Sequence, residues 1–359
     1  QGARGGGVVK ALRKLAAADE HLELVEVEEP KPEPGWVVVE VTYAGICGTD
    51  LHIAHNRFPS WPPVTLGHEF CGRVGGVGAE VEGWSPGDRV VCEPHSLACG
   101  RCHLCRRGHA ELCPHKRSPG WGIDGGMAAR VAVPAHLLHR VPDSVPDLAA
   151  ALCEPTAIAV TAAERMPVEP GSTVLVLGPG AVGLLAAMVA RACGAGRTVV
   201  VGRASSRPRL ELARRLGFET WDASQADVAA QAMAATGGRG ADLALECSGS
   251  ADAVAAAVAA LRRRGRLCVL GMSGQPALAV PWDLAMQRAL DVSFSVSSSW
   301  SSWDGALALL ARGAVDPAPL ATVFPLSDWE AAFQAIGDRS VVKALLDPRT
   351  GPSDEKGAP

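Results

Sequence analysis

A glycine-rich turn between a β-branched strand and a helix constrains the fold of this chain more than any other feature of its sequence. The apolar run Thr173–Leu177 leads into residues 178–183, Gly-Pro-Gly-Ala-Val-Gly, and a helical stretch follows at 184–193. The spacing is G-x-G-x-x-G, whose glycines permit a tight turn and a close approach of the backbone to a pyrophosphate, while the helix N-terminus supplies N–H groups to the anion. The predicted coenzyme contacts at this turn are Gly178, Gly180, Ala181, Val182 and Gly183.

Strand-like and helical segments alternate after the turn. The helical stretches include Arg209–Leu216 and Ala251–Arg263. Further strand-like segments lie at Thr198–Val201, Glu219–Asp222, Asp242–Glu246, Arg266–Leu270 and Asp291–Val296. With Thr173–Leu177 they make six strands in one β/α alternation, which predicts an α/β fold with a doubly wound, six-stranded parallel sheet of the Rossmann type.

The end of the second strand indicates which dinucleotide binds. An acidic residue about twenty positions after the glycines would accept the ribose hydroxyls of NAD, whereas arginine would favour the 2′-phosphate of NADP. Residues 202–207 read Gly-Arg-Ala-Ser-Ser-Arg and contain no acid. Arg203, Ser205 and Arg207 are therefore predicted to bind a phosphate dianion, which favours NADP over NAD. The alternative is that both arginines are solvated, or stack on adenine while NAD is bound.

The first 150 residues or so have a different, β-rich pattern. Residues 23–27 alternate polar and apolar side chains, 28–35 form a proline-rich turn, and 37–41 are a β-branched run. Strand and turn signals continue through Gly72–Gly78 and Trp84–Val91. This part of the chain is predicted to form a compact barrel punctuated by glycines.

A polar loop at residues 95–119 contains closely spaced cysteines. Their spacing is C-x2-C-x2-C-x7-C, and the residues are Cys99, Cys102, Cys105 and Cys113. Four sulfurs within fifteen residues can close a tetrahedron around one zinc with no open position, which is typical of a structural site. The alternative is an iron–sulfur ligand set, since short C-x2-C-x2-C runs also occur there. Three histidines of the loop are interpreted as solvated side chains: His103, His109 and His115.

A second possible metal site comprises Cys47 and the pair His68-Glu69. A thiolate and an imidazole, brought together with one carboxylate and one open position, would hold a catalytic zinc. The alternative is that Cys47 is a buried thiol and His68 a hydrogen-bonded histidine of the core.

Length, charge and cysteine content limit the other possibilities. At 359 residues the chain is long enough for two domains, and its net charge of -4 gives no basic surface for nucleic acid. The longest apolar stretches are far shorter than the ~18 residues of a membrane span, and residues 1–7 lack the apolar core of a signal peptide. We therefore expect no membrane and no nucleic acid as partners. The eleven cysteines indicate reduced thiols and metal sites in the cytoplasm rather than disulfide bonds.

Together these motifs resemble those of the zinc-containing medium-chain alcohol and polyol dehydrogenases, over about residues 10–347. The residues that carry the resemblance are Gly45-Ile46-Cys47-Gly48-Thr49-Asp50, Gly67-His68-Glu69, the four cysteines and the glycine-rich turn. The chain is most similar to the sorbitol (iditol) and threonine dehydrogenases, because Glu154-Pro155 provides a carboxylate where the alcohol dehydrogenases proper have a cysteine ligand. The resemblance implies a GroES-like, β-rich catalytic domain interrupted by a Rossmann domain, with the active site in the cleft between them.

The resemblance further implies two zinc ions per chain, one structural and one catalytic. The catalytic ligands would be Cys47, His68 and a carboxylate, either Glu69 directly or Glu154 directly or through water. Zinc would act as a Lewis acid on the substrate oxygen while the nicotinamide takes the hydride from the adjacent carbon. The substrate would be a secondary alcohol or its ketone, of the polyol, cyclitol or amino alcohol class.

Other roles also follow from the resemblance. Thr49 would relay the substrate proton, His52 would pass it to solvent, and Asp50 would orient the metal site. Lys343 would reach the coenzyme pyrophosphate, with surface solvation as the alternative. The chain departs from the NAD-dependent polyol enzymes at Arg203, and it has a serine-rich segment, 297–302, where those relatives carry an arginine-containing stretch facing the substrate.

The predicted organisation is a catalytic domain with a nucleotide domain inserted into it. Its segments are an N-terminal extension (1–7), the catalytic domain (8–157) with the zinc lobe (95–119), the nucleotide domain (158–296), a return to the catalytic domain (297–347) and a flexible tail (348–359). By resemblance we expect a homodimer or homotetramer paired through the sixth strand. The rival hypotheses are a zinc-free quinone or enoyl reductase of the same fold and a non-catalytic NADP-binding zinc protein with a redox-sensing role.

Overall fold

A computed structural model describes residues 7–19, 21–95 and 97–350. Most of the predicted N-terminal extension, 1–7, and of the predicted tail, 348–359, lies outside the described residues. The chain divides into two compact units, of which the first ends at Glu154 and resumes at Pro317, and the second is Pro155–Asp316. The predicted domain boundaries, after residues 157 and 296, stay predictions.

The described strands and helices follow one another in three stretches. Up to Ala150 they are β1 (Val8–Lys14), β2 (Leu22–Glu28), β3 (Trp36–Gly45), α1 (Gly48–Ala54), β4 (Val64–Thr65), β5 (Glu69–Val77), β6 (Arg89–Cys92), α2 (His103–Arg106), β7 (Arg130–Pro134), β8 (Leu138–Arg140) and α3 (Asp147–Ala150). They continue with α4 (Cys153–Arg165), β9 (Thr173–Leu177), α5 (Ala181–Ala192), β10 (Arg197–Gly202), α6 (Arg207–Arg215), β11 (Glu219–Asp222), α7 (Val228–Ala235), β12 (Ala241–Glu246), α8 (Ala251–Ala260), β13 (Leu261–Val269), α9 (Trp282–Gln287), β14 (Asp291–Phe294) and α10 (Trp300–Ala311). The last are β15 (Ala321–Pro325), α11 (Trp329–Gly337) and β16 (Lys343–Asp347). Among these described helices, none has the length and apolar character that crossing a membrane requires.

The first unit is built around β3, whose β-branched run predicted a strand. β3 pairs antiparallel with β5, β7 and β16 in a seven-stranded sheet, and a three-stranded sheet of β2, β1 and β4 completes the described strands of the unit. Val37, Val39 and Val41 of β3 are buried in the core of this unit. The register places Gly45, the last residue of β3, opposite both Glu69 on β5 and Leu345 on β16. Three distant segments of the sequence therefore meet at the end of β3.

The second unit contains the predicted six-stranded parallel sheet. Its strand order is β11-β10-β9-β12-β13-β14, with every neighbouring pair parallel. The central strand β9 is buried over its whole length, which agrees with its continuous run of apolar and β-branched residues. Because the order of the strands along the sheet reverses at β9, the loop that follows β9 lies at the switch point where ligands bind in such sheets. The prediction of a doubly wound Rossmann sheet is confirmed.

One predicted element is partly wrong. The stretch Ala251–Arg263 is helical only as far as Ala260, and β13 begins at Leu261. Leu261 pairs with Ala241 on β12, and the Arg262 guanidinium donates to the Asp242 carboxylate at 2.6 Å. No glycine or proline marks this boundary in the sequence, so pairing with β12 decides where the alanine-rich helix ends.

Candidate active site and coenzyme site

The side chains of Cys47, His68 and Glu69 meet in the first unit. One ligand atom from each, a sulfur, an imidazole nitrogen and a carboxylate oxygen, lies within 4.8 Å of the other two. The strand register explains this meeting, because Gly45 and Glu69 are paired residues of β3 and β5, and Cys47 follows Gly45 as the N-cap of α1. A β-carbon at Gly67, which has φ +96°, would lie 2.7 Å from Met127 Cγ, so the turn before His68 requires glycine. We call these three side chains the mixed-ligand cluster.

Two side chains flank the His68 ring. The buried Asp50 carboxylate accepts a hydrogen bond from the Cys47 N–H at 2.8 Å, and its other oxygen lies 3.8 Å from His68 Nδ1. Trp121 packs edge-on against the imidazole, with the ring centroids 5.0 Å apart. These contacts restrict the rotation of the imidazole and connect it to the backbone of α1.

A buried ion pair lies beside the cluster. Lys343 pairs with Glu69, the two side chains being 4% and 1% exposed, and Lys343 Nζ also donates to the Ile46 carbonyl at 2.9 Å. A β-carbon on Gly45 would lie 2.5 Å from Glu69 Oε2, so the pair needs glycine at the end of β3. Burial by itself lowers the pKa of Lys343, but Glu69 and Cys47 outweigh it and raise the pKa overall, so the ammonium stays charged. The predicted contact between Lys343 and the pyrophosphate stays a prediction.

The other residues predicted for the active site lie around this cluster. Glu154 is buried but is not among the three residues whose ligand atoms lie within 4.8 Å of one another. Burial, and then the Glu69 carboxylate, raise the pKa of Glu154 to about 7. Thr49 Oγ1 lies 3.7 Å from Cys47 Sγ, and His52 is exposed on the same helix.

The charges of the cluster fit a bound zinc ion. Three buried carboxyl groups, from Asp50, Glu69 and Glu154, surround the Cys47 thiol, and Lys343 is paired with one of them, Glu69. Burial, followed by the Glu69 carboxylate, raises the pKa of Cys47 far above its usual range. A divalent cation would reverse this by favouring the thiolate and the carboxylates, and zinc accepts sulfur, nitrogen and oxygen ligands together.

The four cysteines of the polar loop form a second cluster, which we call the cysteine lobe. Their sulfurs all lie within 4.8 Å of one another, and the residues are Cys99, Cys102, Cys105 and Cys113. The sulfurs of Cys102 and Cys105 are 3.5 Å apart, close to the roughly 3.8 Å that tetrahedral Zn–S bonds of about 2.3 Å would give. Backbone N–H groups of Arg101 and Cys102 lower the pKa of Cys99 to about 6, which favours its metal-binding thiolate. The loop histidines are exposed: His103, His109 and His115.

The glycine-rich turn forms an open cradle in the second unit. Gly178 has φ +106°, and Gly183 packs so closely on it that a β-carbon would lie 1.9 Å from the Gly178 carbonyl oxygen. In front of Gly180, by contrast, the nearest atom to an added β-carbon is Arg209 Nη1 at 4.0 Å. Helix α5 begins at Ala181, immediately after Gly180. This backbone fits a pyrophosphate bound at the N-terminus of α5.

The residues predicted to bind the 2′-phosphate lie where β10 ends. Arg203, Ser205 and Arg207 come directly after the strand, and Arg203 and Arg207 are exposed. The Arg203 guanidinium donates to Asp252 Oδ2 at 2.7 Å. Asp252 lies in the first turn of α8, which follows a different strand, β12. An acid is therefore present near Arg203 in space, although the sequence shows none near it.

Sequence reasoning missed three side chains at these sites. Trp121 lies between two glycines, and an aromatic residue in such a glycine-rich turn could have indicated a site residue. Nothing in the sequence pattern indicates Arg209 or Asp252. The serine-rich segment, by contrast, has contacts within the second unit, where Ser299 caps α10 and Ser302 Oγ donates to Glu164 at 2.9 Å.

Two family models match most of the chain. "Alcohol dehydrogenase GroES-like domain" matches residues 33–143, and "Zinc-binding dehydrogenase" matches residues 181–312. The sorbitol dehydrogenase of Halalkalibacterium halodurans is 35% identical over 342 residues, 95% of this chain and 99% of that protein. The L-threonine 3-dehydrogenase of Pyrococcus horikoshii is 36% identical over 308 residues, 84% of this chain and 87% of that protein. A zinc-binding dehydrogenase of Sinorhizobium meliloti 1021, solved with bound NADP, superposes with a TM-score of 0.87 at 32% identity, covering 95% of this chain and 100% of the other.

Proposed function

Since this chain belongs to the zinc-containing medium-chain dehydrogenase family, in its sorbitol and threonine dehydrogenase branch, we propose that it interconverts a secondary alcohol and its ketone at the mixed-ligand cluster. It is an NAD(P)-dependent alcohol or polyol dehydrogenase with a GroES-like domain and a Rossmann sheet. The observation that carries the proposal is the approach of the Cys47, His68 and Glu69 ligand atoms to within 4.8 Å of one another.

Zinc binding is the first part of the proposal. Cys47, His68 and Glu69 would hold the ion, and Glu154 would lie near enough to add its charge, directly or through water. When bound, zinc supplies a Lewis acid that lowers the pKa of an alcohol, and NAD(P) supplies the hydride acceptor. Asp50 orients the imidazole for this task, and Lys343 balances the Glu69 charge when no metal does.

Proton removal is assigned to α1. Thr49 Oγ1, 3.7 Å from Cys47 Sγ, accepts the proton of the substrate hydroxyl as it gives its own hydroxyl proton to the imidazole of the exposed His52, which releases a proton to solvent. The two residues are three positions apart on the helix and so share one face. Thr49→Val should lower kcat at least tenfold, whereas the matched variant Thr49→Ser, which keeps the hydroxyl, should stay within about threefold of the wild type.

The substrate class follows from the same cluster and from the relatives. We assign a polyol, cyclitol or amino alcohol with vicinal polar groups, because a second hydroxyl or amine can bind beside the oxygen that reacts. The supporting relatives are named for sorbitol and for L-threonine.

A substrate panel tests the assignment. The zinc-loaded enzyme is assayed at the reduced-nicotinamide absorbance band with secondary diols, cyclitols, amino alcohols and simple alcohols. Turnover of a diol or amino alcohol, lost in Cys47→Ser and kept in the exposed-thiol control Cys193→Ser, would support it. Turnover that persists in Cys47→Ser would instead indicate a zinc-free reductase, and coenzyme binding without any turnover would indicate a redox-sensing protein.

We assign NADP as the preferred coenzyme. No acid lies among the residues that follow β10, which include Arg203, Ser205 and Arg207. Arg209 adds a guanidinium near Gly180. A related zinc-binding dehydrogenase was solved with bound NADP. Arg207→Gln should weaken NADPH binding severalfold and leave NADH binding unchanged, because NADH has no 2′-phosphate. Equal weakening of both coenzymes would contradict the assignment.

A second, structural zinc is proposed for the cysteine lobe, giving two zinc ions per chain. Elemental analysis of the purified protein tests this number. None of the cysteines of the described residues forms a disulfide bond, and five of them lie in the two candidate metal clusters, which supports a reducing compartment such as the cytoplasm as the location.

We also propose a homodimer or homotetramer paired through β14. This strand is the last in the order of the described six-stranded sheet, and Val292, Phe294 and Val296 on or next to it are exposed. An unpaired, apolar edge strand can pair with its copy across a two-fold axis. Light scattering should give twice or four times the chain mass, and Phe294→Asp should lower it. A monomeric wild type would contradict this proposal without affecting the catalytic one.

A further inference from the structure

We propose that Asp252 is a specificity-determining residue for the coenzyme, because its carboxylate competes with the 2′-phosphate of NADP for the Arg203 guanidinium. This inference rests on the proposed binding of the dinucleotide at the glycine-rich turn. It goes beyond that proposal by identifying an acidic residue that weakens NADP binding.

The sheet topology brings the two side chains to one site. Arg203 follows β10, and Asp252 lies in the first turn of α8 after β12. β10 and β12 flank β9 on its two sides, and the glycine-rich turn follows β9. Since the carboxyl ends of parallel strands share one edge of a sheet, the pair lies across the turn from both sides. Arg203 Nη2 donates to Asp252 Oδ2 at 2.7 Å, although 49 positions separate the residues in the chain.

The backbone around Arg203 is held in place. The Ala204 N–H donates to Ser224 Oγ at 2.9 Å, and the Ala223 N–H donates to the Gly202 carbonyl at 2.8 Å. A β-carbon on Gly202 would lie 3.0 Å from Pro179 in the glycine-rich turn. The side chain of Arg203 is therefore the movable part of this loop, and it is attached directly beside the coenzyme cradle.

The ion pair between Arg203 and Asp252 is weak enough for a phosphate to replace the carboxylate, and its charges affect the affinity for that phosphate. The side chains of Arg203 and Asp252 are 62% and 74% exposed, and an exposed ion pair contributes little stability. A 2′-phosphate dianion offers the guanidinium a stronger, bidentate partner. To bind it, Arg203 must leave Asp252, and the freed carboxylate then lies near a second anion. Both effects weaken NADP binding, and neither acts on NAD, whose 2′-position carries a hydroxyl.

Equilibrium binding of NADPH and NADH, followed by quenching of tryptophan fluorescence, tests the inference without turnover. Asp252→Asn should tighten NADPH binding about two- to fivefold at low ionic strength, less at high salt, and change NADH binding less than twofold. Asp283→Asn, at an exposed acid of the same unit, is the control for a change of one charge and should leave both constants unaltered.

A double-mutant cycle separates competition from a general charge effect. Competition predicts that Arg203→Gln weakens NADPH binding more in the Asp252→Asn background than in the wild type, because only there is the guanidinium free to bind phosphate. Strictly additive effects would overturn the inference. So would weaker NADPH binding in Asp252→Asn, since that result would mean that Asp252 positions Arg203 for the phosphate.

The coenzyme preference itself can fail separately. If the wild type binds NADH more tightly than NADPH, the proposed preference is wrong. In that case a gain of NADPH affinity in Asp252→Asn still supports competition, and no gain overturns it.

Discussion

The cysteine lobe and the mixed-ligand cluster are two candidate sets of metal ligands that the fold assembles in opposite ways. The lobe takes its ligands from one loop of fifteen residues, and its sulfurs are approached by backbone N–H groups of the same loop. The mixed-ligand cluster takes its ligands from the end of β3 and the start of β5, and it depends on the register between those strands. Residues of one loop thus suffice to bring the four sulfurs of the lobe together, whereas the mixed-ligand cluster requires β3 and β5 to be paired in the correct register.

The pKa values of the cysteines also differ between the two sites. In the lobe, backbone N–H groups lower the pKa of Cys99 to about 6, while burial raises that of Cys105 to about 12. In the mixed-ligand cluster, burial and neighbouring carboxylates raise the pKa of Cys47 and bring that of Glu154 to about 7. Backbone N–H groups therefore favour the thiolate at one cysteine of the lobe, whereas burial and carboxylates disfavour it at Cys47.

The largest expected effect comes from removing a lobe ligand. Cys113→Ser should reduce the zinc content from two ions to one and unfold the lobe, because the binding free energy of a structural zinc, about 10 kcal/mol or more, is also folding free energy. Elemental analysis with amide hydrogen exchange over residues 99–113 measures both losses. Cys193→Ser, at an exposed thiol outside the lobe, should change neither. If the amides of the lobe stayed fully protected from exchange with only one zinc bound, the fold of the lobe would not depend on its metal.

The next effect is on turnover. Cys47→Ser should lower kcat/KM by a factor of about 10³ or more, roughly 4 kcal/mol, while the lobe keeps its zinc and the fold persists. Steady-state kinetics, zinc content and thermal unfolding of the same sample check the three parts together. If the variant lost both zinc ions, the two clusters would not be independent.

The difference between the two regions also explains what could be predicted from the sequence. The lobe, the glycine-rich turn and the six parallel strands follow from local spacing and periodicity, and the ligands of the lobe lie together as their spacing predicted. The end of α8 at Ala260 could not be predicted, because pairing of Leu261 with Ala241 decides it.

Contacts between residues that are distant in the sequence could not be predicted for the same reason. The sequence indicates Lys343 and Glu69 separately, but only the pairing of β16 and β5 with β3 makes them a buried ion pair. Likewise, residues 202–207 contain no acid, and Asp252 reaches Arg203 from 49 positions away. Sequence reasoning therefore named candidate ligands and missed the charged side chains beside them.

The Lys343–Glu69 pair gives the third prediction. Lys343→Met should cost about 3–5 kcal/mol of unfolding free energy in the zinc-free protein, because it leaves a buried carboxylate without a counter-charge. The zinc-loaded protein should lose less, since the metal neutralises Glu69. Urea unfolding of both forms measures the difference, and Lys343→Met/Glu69→Gln should recover most of the loss.

Equal destabilisation of the two forms would show that Lys343 acts on packing alone. The dissociation constant of NADPH for the same variant tests the predicted pyrophosphate contact of Lys343.

The smallest expected effect is on the pH dependence of zinc binding, and measuring it compares the zinc affinities of the two clusters in one molecule. Without metal, the pKa of Glu154 is about 7, so below pH 7 zinc must displace a proton from Glu154 as well as from the Cys47 thiol. Affinity at the mixed-ligand cluster should therefore fall with decreasing pH, and below pH 7 the fall should steepen by up to one power of ten per unit, about 1.4 kcal/mol. In Glu154→Gln, which carries no titrating carboxyl group, the curve should lack this extra slope. Competition with a chromophoric chelator between pH 6 and 8.5 measures both curves, and the lobe, which Glu154 does not ligate, is the internal reference. Parallel curves for the two proteins would mean that Glu154 keeps its proton when zinc binds, leaving Glu69 as the carboxylate that responds to the metal.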